Sequence, residues 1–162
     1  MKIPGTYLHT HDIDWFCKLR DGYIHVASAG GDLPNCINNW QIIKKTTNQV
    51  SLLPEIAEVI RNEDVITHIK ADLIEKETYY CTFEIMASKG FISIDKSNIS
   101  DINDRLYHIV CYPKKNNPED FSSLAVECAE CSNVSIDDIP KDKSFDLFNL
   151  LEMSNSENVY KE

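Results

Sequence analysis

The chain has 162 residues, of which 43% are hydrophobic and 26% charged, a balance that suits one globular domain and excludes a disordered chain. Its net charge of −10 is uneven: beyond residue 117 eleven acids face three lysines, while the first 117 residues are nearly neutral. That asymmetry disfavours nucleic acid and anionic membranes, which need clustered Lys and Arg, and leaves a basic protein partner as the expected kind.

The first clear element is a hairpin, "DIDWFCKLRDGYIHVASAGG", with Asp21-Gly22 read as a two-residue type I′ turn. In that register Cys17 faces Val26, Lys18 faces His25 and Leu19 faces Ile24. One face collects Ile13, Trp15, Cys17, Leu19, Ile24 and Val26, and the other Asp12, Asp14, Phe16, Lys18 and His25. Next comes a helix capped by Asp32 with Pro34 in its first turn. Cys36, Trp40, Ile43, Thr47 and Val50 form its stripe, and it ends near Ser51 ahead of Pro54. Residues 54–77 read as helix, one long or two short, with Ile56, Val59 and Ile60 in one patch and Val65, Ile66, Ile69, Leu73 and Ile74 in another.

"YYCTFEIMASKGFISIDK" reads as a second hairpin turning at Lys89-Gly90, with Cys81, Phe83, Ile85 and Ala87 sharing a face with Ile92 and Ile94. "RLYHIVCYP" and "SSLAVECAE" follow as strands. "DKSFDLFNLLEM" closes the chain as a helix capped by Asp142 or Ser144, with Phe145, Phe148 and Leu151 on one side. The sum is an α+β fold: a mainly antiparallel sheet of five or six strands, built from two hairpins plus later strands, with two to four helices on one face. Residues 1–153 form the expected single domain and 154–162 a polar, frayed tail.

No apolar run reaches the length of about 18 residues needed to cross a bilayer, and the opening "MKIPGTYLHTHDID" has no secretory apolar region. The six cysteines, at 17, 36, 81, 111, 128 and 131, fall mostly at apolar positions, so reduced thiols and a cytoplasmic setting are expected. "CAEC" is a lone C-x-x-C without the second pair a structural zinc site needs. "SAGGD" lacks the residues of a phosphate-binding loop.

Two constellations carry chemistry. Phe16, Lys18, Tyr23 and His25 form an expected exposed patch on the outer hairpin face, suited to contact with a partner. In "YLHTHDIDWF", His9, His11, Asp12 and Asp14 have the residue types of a Zn²⁺ or Mn²⁺ site that would activate water. The string resembles the N-terminal HxH…D of TatD-like and PHP-type metal hydrolases over this stretch. Those families complete their metal cluster with further His, Asp and Glu residues on a large barrel, whereas the other histidines here are only 25, 68 and 108. Strand alternation also sends His9 and His11 to one side and Asp12 and Asp14 to the other.

The leading expectation is therefore a small acidic cytosolic binding protein, inhibitor- or immunity-like, without catalysis or cofactor. A metal-dependent hydrolase and a small-ligand-binding domain are the alternatives.

Overall fold

A computed structural model describes residues 1–63, 76–114 and 126–152. In chain order these form α1 (Gly5–Leu8), β1 (Asp14–Leu19), β2 (Tyr23–Ala27), α2 (Trp40–Ser51), β3 (Val59–Arg61), α3 (Lys76–Ser88), β4 (Phe91–Lys96), β5 (Leu106–Pro113), β6 (Ala129–Cys131), β7 (Phe145–Asp146) and a last helix, α4, over 147–152. A 3₁₀ turn covers Ile136–Asp138. The α+β class stands, but the sheet is mixed and has seven strands, in the order β3-β5-β4-β2-β1-β6 with β7 paired to β5. Its β2–β4 and β1–β6 pairings are parallel. Among the described residues no helix is long and apolar enough to cross a membrane.

The β1–β2 hairpin forms two residues out of the expected register: Cys17 pairs with Ile24 and Phe16 with His25. The loop centres on Arg20-Asp21, and neither Asp21 nor Gly22 has positive φ. Both residues are committed to something other than the turn. Asp21 accepts from Ser135 Oγ and from the Ile136 N–H, each at 2.8 Å, and a Cβ on Gly22 would meet Ile136 Cδ1 at 2.1 Å. Because the slide is an even number of residues, the sorting of faces survives it. Trp15, Cys17, Leu19, Ile24 and Val26 join the main core with Ile92, Ile94, Ile109, Phe145, Phe148 and Leu151.

The second expected hairpin does not form. Residues 76–88 are helical, and only 91–96 is a strand. Tyr80, Phe83 and Ala87, spaced at three and four, turn one side of α3 onto Ala27, Val110 and Cys111. Gly90, with φ +104°, terminates the helix where a side chain would be strained. Helices thus cover both faces, α3 on one and α4 on the other, rather than one face as expected.

Other boundaries shift as well. Asn39, not Asp32, caps α2, which starts at Trp40 and ends at Ser51 as read. Val59 and Ile60 belong to edge strand β3, paired to β5, instead of a helix. The closing segment begins as β7 before turning helical, with Asp146 Oδ1 accepting from the Asn149 N–H at 3.0 Å. The expected strand over 122–130 is extended only at its end, as β6, residues 126–128 being irregular; the expected helical patch at 65–74, residues 122–125 and the tail at 154–162 lie outside the described residues.

Candidate functional site

The hairpin patch is not a surface. Phe16, Tyr23 and His25 are buried and Lys18 is half-buried, because α3 and the end of α2 cover this face of the sheet. Phe16 packs edge-on to Phe91 with ring centres 5.3 Å apart, and Lys18 Nζ lies 5.9 Å from the centre of Tyr23. The expectation of exposure fails because it assigned α3 to a strand, leaving nothing to roof the outer face.

Nor do His9, His11, Asp12 and Asp14 converge. The chain is helical at Gly5–Leu8 and extended only from Asp14, so strand alternation does not reach the histidines. His9 Nε2 contacts Asp32 Oδ1 at 2.9 Å. His11 stacks on Tyr7 with ring centres 3.7 Å apart, and its Nδ1 donates to the Tyr7 carbonyl at 2.9 Å. Asp12 accepts from the Ala29 N–H at 2.8 Å. Among the described residues no three His, Cys, Asp or Glu side chains are grouped to hold a metal ion.

Asp12, Asp14 and His11 instead line one open groove of about 440 Å³, whose far wall is α2 with Trp40, Lys44 and Thr47. Tyr7 sits edge-on to Trp40, ring centres 5.8 Å apart. The groove therefore combines two aromatic rings, two carboxylates and one cation, since Lys44 Nζ stands 4.7 Å from the centre of the Trp40 ring.

Asp14 also reaches inward. His25 Nε2 lies 3.6 Å from Asp14 Oδ2, and the imidazole is 0% exposed while the carboxylate is 39% exposed. The other ring nitrogen, Nδ1, is 2.7 Å from Ser93 Oγ across the β2–β4 pairing. Among the described residues His25 Nε2 has no hydrogen-bond partner. Ser93, His25 and Asp14 thus stand in line, but Ser93 and His25 are wholly buried, so no substrate reaches the hydroxyl for nucleophilic chemistry.

A second buried polar chain lies on the same face. The Tyr79 hydroxyl donates to Asp95 Oδ2 at 2.7 Å and is 2.9 Å from His108 Nε2. His108 Nδ1 is 3.0 Å from Ser97 Oγ, itself 2.8 Å from Ser144 Oγ. A hydroxyl has one proton, so when Tyr79 donates to Asp95, His108 Nε2 must donate to Tyr79 and Nδ1 must accept from Ser97. A bulge in β5 near Val110 brings His108 and Cys111 onto this one face.

Burial pushes Asp95 up to about 7, against the hydrogen bonds from Tyr79 and the Lys96 N–H and with help from Asp12 and Asp14. Burial pulls His108 down to about 4. Lys96 is buried beneath Gly31, and burial lowers its pKa although Asp104, Asp101, Asp32 and Asp95 act against this.

All six cysteines are unbridged. A hydrogen bond with Cys17 leads the causes that raise Cys131 to about 12, and burial raises Cys128 to about 11. Both members of the C-x-x-C are therefore protonated thiols, without the activation a redox pair needs.

Of the groove, Asp12, Asp14 and His11 were picked out in the sequence, whereas Tyr7 and Lys44 were not and Trp40 counted only as core. The available signal was the i, i+4 pair Trp40 and Lys44 on a helix. Ser93 and Asp95 signalled themselves as polar residues in "FISID", a strand flanked by apolar neighbours. Compared with known proteins, the chain matches no family model, no curated protein and no solved structure, so the chemistry of the site rests on its geometry.

Proposed function

We propose that this chain is a non-enzymatic binding protein that docks a basic segment of a protein partner into the groove between β1 and α2. One observation carries the reading: Asp12 and Asp14 share an open groove with the rings of Tyr7 and Trp40, a combination that suits a cationic side chain. The acid-rich region beyond residue 117 supports it less, because several of its carboxylates serve the fold. Glu127 pairs with Lys45 at 2.5 Å, Asp138 accepts from the Ser135 N–H and Asp146 from the Asn149 N–H. The small-ligand reading would use the same groove, but its carboxylates favour a charged guest. A hydrolase holding Zn²⁺ or Mn²⁺ on His9, His11, Asp12 and Asp14 would first require α1 to give up the Asp32 and Tyr7 contacts of the two imidazoles.

The test is titration with a short, end-blocked peptide rich in Arg and Lys. Binding should weaken steadily between roughly 50 and 500 mM salt, and about tenfold in Asp12→Asn/Asp14→Asn, as expected when two charge-assisted contacts are lost. Asp137→Asn/Asp142→Asn should bind like the parent protein. Salt-independent binding, or equal weakening by the second pair of substitutions, would overturn the proposal.

A further inference from the structure

Asp14, on the rim of the groove, pairs across the sheet with Ala27, Ala27 pairs with Asp95, and Asp95 pairs with His108. Paired residues share a face, so the four stand in one row, and two strand spacings put the Asp14 and Asp95 backbones about 10 Å apart. Only the methyl group of Ala27 stands between them in the row. Tyr80 and Phe83 of α3 share an apolar cluster with that methyl, so the field between the two carboxyl groups crosses protein rather than water. We propose that docking of a cationic guest is coupled to loss of a proton from Asp95, so that the groove holds its partner more tightly as pH rises, an inference that rests on the groove being the docking site.

Asp95 is 7% exposed and acts on a guest only through its charge. Burial is the main reason it keeps its proton up to about 7, and the negative charges of Asp12 and Asp14 add to that. Its other ionisable neighbours face away from the groove. Tyr79 of α3 donates to Asp95 Oδ2, with His108 of β5 behind it. The Lys96 N–H donates to Asp95 Oδ1 at 2.9 Å, while the Lys96 side chain lies on the opposite face beside its β5 partner Tyr107. Of this set, Asp12 and Asp14 border the groove, with His25 buried against Asp14. A guest's cation beside the two aspartates offsets the charge that holds the proton on Asp95. The carboxyl then releases that proton to solvent, and its own new charge attracts the guest in return. Linkage makes the two effects equal in size.

The probe is the end-blocked arginine peptide Gly-Arg-Gly-Arg-Gly, read by tryptophan fluorescence at about 20 mM salt, where screening over this distance is weak. Trp15 is wholly buried and Trp40 borders the groove, so the response reports Trp40. Between about pH 6 and about pH 8 the parent protein should gain about threefold more affinity than Asp95→Asn gains, the scale of a unit charge acting over roughly 10–15 Å. The two should bind nearly alike at the lower pH and part at the higher. His11 and His25 are present in both proteins, so their own titration cancels in the comparison. Equal pH dependence overturns the coupling and leaves docking in the groove standing. A second measurement needs neither a guest nor a change at Asp95. Carboxyl carbon NMR should show Asp12→Asn/Asp14→Asn lowering the proton affinity of Asp95 by about threefold or more. A midpoint that does not move overturns the coupling as well. Failure of the arginine peptide to bind the parent at either pH overturns both proposals.

Discussion

Two histidines lie wholly buried on the same face of the sheet, and their surroundings differ in an instructive way. His108 has a partner at each nitrogen, in a hydrogen-bonded chain from Ser144 through Ser97 and Tyr79 to Asp95. His25 has one, Ser93, and turns its other nitrogen towards a carboxylate 3.6 Å away on the rim of the groove. A saturated buried polar group serves the fold, while one left open towards the surface stores an interaction that a bound guest can change. His108 thus serves the fold, and on the docking proposal His25 positions Asp14 from behind.

The sharpest way to break this contrast is His108→Ala, which takes one of two partners from both Tyr79 and Ser97 and leaves a buried cavity. It should cost about 3 kcal/mol in chemical denaturation, in the range for a broken buried network. A loss below about 1 kcal/mol would mean that the chain of side chains is not holding α3 to the sheet.

Asp95→Asn sharpens it through pH. The folded-state pKa of Asp95 is raised to about 7 from 3.8, so folding favours the protonated acid, and stability from this group falls as pH rises from about 4 to about 7. His108, lowered from 6.5 to about 4, acts oppositely: its contribution is lost as pH falls through the same window. In the parent the two slopes offset. Asp95→Asn keeps an acceptor for Tyr79 and should stabilise the protein by about 2 kcal/mol at pH 8, leaving only the His108 slope below pH 6.5. Melting temperatures across pH 4 to 8 read this directly, and a variant as flat as its parent contradicts it.

The smallest expected effect on stability is that of His25→Gln, about 1 kcal/mol or less, since a single hydrogen bond is exchanged. Its effect should appear at the groove, as weaker binding of the arginine peptide than stability alone explains. Binding equal to the parent's would place His25 with His108 as a structural residue.

The sheet faces of the first hairpin were legible because alternation has a period of two, so sliding the pairing by two residues moved every contact and no face. The strand over 106–113 and the end of α2 at Ser51 were legible from Pro113 and Pro54. What hid the site was α3. Tyr79, Tyr80, Thr82, Phe83 and Ile85 have strand propensity, and Phe83 and Ala87 fit both an alternating pattern and a helical one. Only contact with Ala27 and Val110 decides for the helix, and that information lies far away in sequence. Once α3 is a helix, the outer face acquires a roof and His25 goes inside, while Asp12 and Asp14 remain on an open groove.

The β2–β4 pairing has a kinetic corollary. β1–β2 and β4–β5 are each joined by short connections and can zip locally, but the parallel seam between them must wait for the whole crossover from Ala27 to Phe91. The His25–Ser93 contact bridges that seam, so its protection from solvent exchange should arise late in refolding, after both ribbons have formed. Mutations along the join would then mainly speed unfolding, whereas those within either ribbon would slow refolding.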